Sequence, residues 1–215
     1  LLRDWLEKRI RDDLDTNNRF DLAGEINGML GQRNGPFWAN GLKRDIPNLP
    51  RRKTNYENPF PERRAVERLA KGSFTCWQMA GAGAVGSQVF MGLPVLARLR
   101  RLFPDQIAVW PFEPLDRAVS FIEIWPSLDM PNVPKGWIKD AWQVDHVARH
   151  LAAIAPVDLT RLLNVRAPEE GWIFGVLAEA ALEPPPLKND CFALPPGVDW
   201  APVDHALKLM SERLH

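Results

Sequence analysis

The chain has 215 residues, and its 27 lysines and arginines balance its 27 aspartates and glutamates, so the formal net charge is zero. This balance excludes a strongly basic nucleic-acid wrapper and an acidic solvating tail. An apolar fraction of 46% excludes disorder along the whole chain. Two cysteines, Cys76 and Cys191, are too few for a disulfide framework or a four-cysteine zinc site. So few cysteines favour a reduced, cytoplasmic protein. No apolar run reaches the roughly 18 residues of a membrane span, so we expect no membrane partner.

The first part of the chain predicts two helices followed by a long irregular segment. Apolar residues recur every three or four positions over residues 1–14, which is typical of an amphipathic helix. A second helix is predicted after Asn17 and Asn18, which are good capping residues, and it ends at Gly31. Residues 31–60 combine proline, glycine and asparagine with little periodicity, so we expect a loop there, and loops of this length are often functional.

The rest of the chain alternates between predicted helices and strands. Helices are predicted over residues 61–69, 89–102, 138–154, 158–163 and 169–182, and strands over residues 74–79, 107–112 and 119–125. This alternation favours an α/β architecture, and the low number of strands indicates that the first strands of the sheet lie upstream of Leu1. A proline run at 184–186 predicts the boundary between one domain, residues 1–183, and a tail, residues 184–215, with an amphipathic helix.

Three glycines, Gly81, Gly83 and Gly86, match the spelling of a dinucleotide-binding fingerprint. In that motif a strand precedes the glycines, and the following helix presents its N-terminus to a pyrophosphate. Residues 74–79 are polar for a buried first strand, and Glu113 lies farther along the chain than the expected spacing of about 20 residues. The alternative is a glycine-rich turn that lets backbone segments pack closely.

Glu123 stands inside an apolar run, between Ile122 and Ile124. In a strand, the period of two places its side chain on the same face as Phe121 and Trp125. An ionised carboxylate among apolar groups is costly unless it is paired or bound to a metal ion. Glu123 is therefore a candidate functional residue, and the alternative is an acid at an exposed strand edge or one paired with an arginine.

Asp140 lies in the first turn of the helix predicted over residues 138–154. At about 100° per residue, its side chain falls on the stripe that contains Val147 and Leu151, which predicts an acid directed toward the core. The alternative is an acid favoured by the helix dipole, which explains its position but not its direction. Asp145 lies at the edge of the stripe and is the weaker candidate.

Two further patterns have simpler structural explanations. His146 and His150 have the i,i+4 spacing of metal ligands, but they fall on the far side of the helix from the apolar stripe, which predicts solvated side chains. The cations and aromatic residues of segment 37–68 have the composition to follow a phosphate backbone, although a loop with internal salt bridges is the simpler reading. No serine or cysteine lies in a nucleophile elbow, so acyl transfer has no support.

Several segments together resemble a known family. The strand Ile-Glu-Ile-Trp-Pro-Ser-Leu at residues 122–128 and the helix opening Ile-Lys-Asp-Ala at residues 138–141 resemble the acid-bearing strand and C-terminal helix of an uncharacterised family of predicted nucleases with an RNase H-like fold. Residues 17–20, 35–38 and 81–88 are similar to one bacterial branch of that family, whose members are often labelled as molybdopterin-guanine dinucleotide biosynthesis proteins. The order of these motifs along the chain is the stronger part of the resemblance.

This resemblance implies an RNase H-like mixed sheet flanked by helices, and a site that holds Mg²⁺ or Mn²⁺ for the hydrolysis of phosphodiester bonds. Glu123 would be the strand ligand and Asp140 the helix ligand, with Asp145 as a further candidate metal ligand. The first-strand aspartate of the family has no counterpart, because that strand would precede Leu1. We therefore expect the present chain to be inactive or incomplete by itself.

Two other functions stay open. A nucleotide-handling protein of molybdenum-cofactor maturation would use Gly81, Gly83 and Gly86 to contact a dinucleotide phosphate. A non-enzymatic scaffold would bind a protein partner through the aromatic loop at residues 35–60. The first two functions imply a nucleic acid or nucleotide partner, and the third implies a protein.

Overall fold

A computed structural model of the chain describes residues 2–14, 16–128, 132–167 and 169–177. Helices and short strands together form a mixed α/β structure, which confirms the predicted α/β class at this level. The chain divides into two compact units; among the described residues, the first comprises residues 2–63 and 74–104 and the second comprises residues 64–73 and 105–177. The predicted tail at residues 184–215 lies outside the described residues.

The described residues form six helices and four short strands. The helices are α1 (Leu2–Arg9), α2 (Arg19–Met29), α3 (Ala65–Leu69), α4 (Gly86–Leu102), α5 (Lys139–Ala153) and α6 (Pro156–Leu163). The strands are β1 (Asp12–Asp13), β2 (Thr16–Asn17), β3 (Ile107–Val109) and β4 (Val119–Phe121). β1 pairs with β2 antiparallel, and β3 pairs with β4 parallel, so each sheet within the described part has two strands. None of these six helices is both long enough and apolar enough to cross a membrane.

The first unit is built around a core to which α1, α2 and α4 contribute. Leu6 of α1, Phe20 of α2 and Phe90 of α4 are buried in it together with Met79. The ring of Phe37 meets that of Phe90 edge to face, with centroids 5.1 Å apart. The loop that contains Phe37 is therefore part of this core and not an appendage to it.

The helix predicted over residues 1–14 ends early, at Arg9. The side-chain amide of Asn18 donates to the Arg9 carbonyl oxygen at 2.9 Å, and its oxygen accepts the Arg11 N–H at 2.8 Å. Both backbone groups are thus satisfied outside a helix, and the chain turns into the β1–β2 hairpin with Leu14 exposed. Local side-chain hydrogen bonds compete with helix formation in this way, and here they override the apolar periodicity.

The predicted loop at residues 31–60 is held in place by the buried side chain of Asn27 in α2, which is 0% exposed. Its amide nitrogen donates to the carbonyl oxygens of Phe37 at 2.8 Å and Asn48 at 2.7 Å, and its oxygen accepts the Phe37 N–H at 3.0 Å. A Cβ on Gly24 would collide with the Pro47 carbonyl oxygen, so the loop lies directly against the α2 backbone. One amide therefore satisfies three backbone groups of a loop that has little regular structure of its own.

The strand predicted over residues 74–79 does not form. In the described part of the chain, its pairing is limited to an isolated parallel bridge between Trp38 and Gln78. The Trp38 N–H donates to the Trp77 carbonyl at 3.0 Å, and the Met79 N–H donates to the Trp38 carbonyl at 2.9 Å. Pairing ends there because Ala39 adopts a φ of 67°, a left-handed conformation that turns the partner segment away.

In the second unit, the strands predicted over residues 107–112 and 119–125 are shorter than expected. They pair from Ile107 opposite Val119 to Val109 opposite Phe121. The next donor, the Phe112 N–H, bonds to the Val109 carbonyl in a turn at 3.0 Å, and the Glu123 carbonyl accepts the Phe174 N–H at 2.9 Å, so the regular ladder stops.

The core of the second unit lies between α3 and the segment at residues 172–174. Val66 and Ala70 are buried against Trp172 and Phe174, and Trp110 joins them with its indole N–H donating to the Leu163 carbonyl at 2.9 Å. The helix predicted over residues 169–182 is not formed in its described part, residues 169–177. Gly171 and Gly175 have positive φ values of 71° and 87°, a backbone conformation that a right-handed helix does not contain, so the chain turns on both sides of residues 172–174.

We expect Asn27→Ala to lower the free energy of unfolding by about 3 kcal/mol, because it leaves buried backbone donors and acceptors of the loop without partners. Asn27→Asp should also destabilise the protein, because a carboxylate oxygen would then face two carbonyl oxygens. Urea denaturation followed by tryptophan fluorescence measures both effects. Asn132→Ala, at an exposed asparagine, is the control and should change stability by less than about 0.5 kcal/mol. An Asn27→Ala variant as stable as this control would contradict the proposed role of the amide.

Candidate functional site

Glu123 follows the end of β4, and its side chain is 42% exposed. Both carboxylate oxygens accept hydrogen bonds from Arg64: Nη2 donates to Oε1 at 2.6 Å and Nη1 donates to Oε2 at 2.8 Å. Its backbone oxygen accepts the Phe174 N–H at 2.9 Å, which ties this segment to the core. The expectation that Glu123 lies inside a strand is therefore wrong, because the ladder ends at Phe121. Of the alternatives considered for this acid, the structure has the exposed carboxylate paired with an arginine.

Arg64 is positioned by Glu67, whose side chain is only 3% exposed. The Glu67 carboxylate accepts the Arg64 Nε–H at 2.8 Å and the Arg64 backbone N–H at 3.1 Å, so one side chain fixes the guanidinium and satisfies the backbone donor at the start of α3. Burial alone would lower the pKa of the Arg64 guanidinium, but hydrogen bonds and charge attraction from Glu123 and Glu67 outweigh it and raise that pKa. Arg64 thus remains charged and links a buried acid to an accessible one.

Asp140 lies in the first turn of α5, as predicted, but it is exposed. The prediction that it points into a core is wrong, because α5 has no buried residue; Val144, on the predicted stripe, is 71% exposed. Asp145 forms an i,i+4 ion pair, its two oxygens each 2.9 Å from Nε of Arg149. Only one edge of α5 packs on the unit, so the apolar periodicity of this helix overstated its burial.

The structure brings α5 to the segment that follows Glu123. Nε2 of Gln143 donates to Oγ of Ser127 at 3.3 Å. Asp140 lies three residues before Gln143, in the first turn of α5, and its side chain is exposed. Helix α5 thus contacts the chain four residues beyond Glu123, and in the described part of the chain no group of three or more His, Cys, Asp or Glu side chains forms a metal cluster.

The chemistry of the two acids fits a divalent cation of the Mg²⁺ type. Such ions prefer oxygen ligands and are often held by one or two carboxylates while they keep several waters. Each Glu123 oxygen accepts one hydrogen bond from Arg64 and retains a second lone pair. Glu123 and Asp140 are both accessible, so both are available as partial ligands.

The glycines of the predicted dinucleotide fingerprint are explained by packing. Gly81 and Gly83 have positive φ values of 107° and 75°, and a Cβ on Gly83 would collide with the Phe74 ring. A Cβ on Gly86 would collide with backbone carbonyl oxygens, and its N–H donates to the Gln78 carbonyl at 3.0 Å where α4 begins. The strand that the fingerprint requires before the glycines is absent from residues 74–79, so a nucleotide contact at Gly81, Gly83 and Gly86 stays a prediction.

The aromatic and basic loop is tied together by internal contacts. Nζ of Lys53 lies 2.5 Å from a Glu62 carboxylate oxygen and 4.5 Å from the centroid of the Tyr56 ring, and Arg51 pairs with Asp45 at 3.0 Å. Burial and the adjacent Glu62 raise the pKa of the Tyr56 hydroxyl. These contacts agree with the salt-bridged loop, and partner binding by residues 35–60 stays a prediction.

The sequence reasoning missed Arg64 and Gln143 as parts of this site. Arg64 precedes Glu67 by three residues at the start of a helix, which is the spacing of a capping box, but nothing local indicates its contact with Glu123. Gln143 gives no pattern at all, because its partner Ser127 belongs to another element. Comparisons with protein-family models, with curated proteins and with solved structures gave no match to this chain.

We expect Arg64→Ala to lower the free energy of unfolding by about 3 kcal/mol, because it leaves Glu67 as a buried, uncompensated charge. Arg149→Ala is the matched control: Arg149 is 80% exposed, and loss of a surface pair changes stability by less than about 1 kcal/mol. Thermal and urea denaturation of both variants make the comparison. Equal stability of the two variants would show that Arg64 does not support the unit.

Proposed function

We propose that this chain is a divalent-metal-dependent phosphodiesterase or nuclease with an RNase H-like fold, in which Glu123 and Asp140 are ligands of Mg²⁺ or Mn²⁺. One arrangement supports this most: an accessible carboxylate lies just beyond a parallel strand, and the helix with Asp140 in its first turn contacts the segment after that carboxylate. Ligands of α/β proteins bind outside the carboxyl ends of parallel strands, which is where Glu123 lies.

An RNase H-like fold requires more strands than the β3–β4 pair. Val119 and Phe121 of β4 are 46% and 37% exposed, so the pair has an apolar face that the described residues leave partly uncovered. The resemblance of residues 122–128 and 138–141 to the nuclease family supports the same fold.

In the proposed reaction, Arg64 has a positioning role. Its guanidinium holds the Glu123 carboxylate in one orientation through two hydrogen bonds. A bound divalent ion supplies an activated water and neutralises charge on the phosphoryl group.

Binding of Mn²⁺, measured by titration calorimetry on the 215-residue chain, tests this proposal without requiring a complete active site. We expect Glu123→Gln and Asp140→Asn each to weaken Mn²⁺ binding by at least about tenfold, because loss of an outer-shell partner alone costs about 10–100-fold. Hydrolysis of single-stranded DNA and RNA in Mg²⁺ should fall in the same variants. Asp145→Asn then decides whether the third candidate is a ligand.

The matched control is Asp158→Asn. Asp158 lies in the first turn of α6 as Asp140 lies in the first turn of α5, and its side chain is 56% exposed. The Asp158→Asn variant should bind Mn²⁺ as tightly as the unaltered chain does. Affinity unchanged in Glu123→Gln, or equally reduced in Asp140→Asn and Asp158→Asn, would contradict a site shared by Glu123 and Asp140.

A further inference from the structure

A cavity of about 420 Å³ lies in the second unit, between the segment that follows Glu123 and helix α5. Its walls are mostly apolar and include Trp125, Phe174, Val147 and Leu151. The size falls within the range of about 300–1,000 Å³ typical of small-molecule sites. It has room for a planar ring system.

Two imidazoles, those of His146 and His150, line the same cavity. A neutral imidazole has one nitrogen that donates a hydrogen bond and one that accepts. Flat apolar walls with a few polar groups that both donate and accept match the edges of a heterocyclic base. A purely aliphatic ligand would leave these nitrogens without partners.

Aromatic rings continue from the cavity along α5. The rings of Trp142 and His146 have centroids 5.8 Å apart and an interplanar angle of 31°, and those of His146 and His150 are 6.2 Å apart at 27°. Nucleic-acid bases stack on such surfaces, with about 1–3 kcal/mol per base. These rings, of which those of Trp142 and His146 are partly buried, therefore extend the aromatic surface of α5 beyond the cavity itself.

The cavity adjoins the proposed metal site. Ile124 lines it and is the residue directly after Glu123, and successive Cα atoms are about 3.8 Å apart. The segment that carries Glu123 therefore continues directly into the wall of the cavity. This continuity favours a nucleotide over an unrelated apolar ligand.

We infer that this cavity binds the base of an unpaired nucleotide. The inference rests on the proposed phosphodiesterase function for the choice of a nucleotide as the ligand. A base within a duplex cannot enter such a cavity, so the substrate class is single-stranded nucleic acid or a nucleotide with an extruded base.

Titration of the full chain with adenosine and AMP in the absence of metal tests the inference, with quenching of tryptophan fluorescence as the readout. We expect saturable binding of both, and weakening by about tenfold or more in Val147→Phe, which fills the cavity. Val144→Phe is the matched control: it is the same substitution on the same helix at a position that is 71% exposed and outside the cavity, and it should bind normally. If Val147→Phe fails to fold, His150→Ala replaces it, because His150 is exposed and lines the cavity.

The outcomes separate this inference from the proposed function. Glu123→Gln should retain adenosine binding even where it loses Mn²⁺, so a failed metal titration leaves the base site standing. Absence of saturable adenosine binding, or binding that survives both Val147→Phe and His150→Ala, would overturn the inference. Naphthalene bound as tightly as adenosine would also overturn it, because the imidazoles would then have no role in recognition.

Discussion

The guanidinium of Arg64 is the interaction on which the second unit most depends. It joins the buried carboxylate of Glu67 to the accessible carboxylate of Glu123, and its Nη1 also donates to the Glu170 carbonyl at 3.2 Å. Helix α3, the end of β4 and the segment before the 172–174 core are thereby held by one side chain. A buried carboxylate such as that of Glu67 is costly unless a cation pairs with it. The Arg64 guanidinium that pairs with Glu67 also reaches Glu123.

This arrangement gives Glu123 two properties that a functional acid needs. The carboxylate has one orientation, because a bidentate contact with arginine restricts it, and it remains in contact with solvent. The cavity begins at the next residue, and α5 closes its other side. The segment that carries Glu123 is therefore fixed by a polar contact with Arg64 and continues into the apolar wall of the cavity at Ile124.

In the first unit, too, buried polar groups need partners, and here they are backbone groups of a loop. Its long loop has few regular hydrogen bonds, so the backbone groups near α2 need partners, and Asn27 supplies three of them. The existence of α2 and of a long loop could be predicted from composition and periodicity. The role of Asn27 could not, because an asparagine on a helix is ordinary until the loop that it serves is in place. The absence of a strand at residues 74–79 could not be predicted either, because it depends on a distant segment that turns away at Ala39.

The sequence by itself determined the α/β class, the approximate positions of most helices, and the two strands near residues 107–112 and 119–125, which are shorter in the structure. Tertiary structure alone decided that Glu123 is paired with Arg64, 59 residues away, and that Asp140 is exposed and not buried. Periodicity reports which side of an element is apolar, but it does not report what covers that side. Long-range polar pairing leaves no local pattern, because either partner is an ordinary charged residue within its own segment.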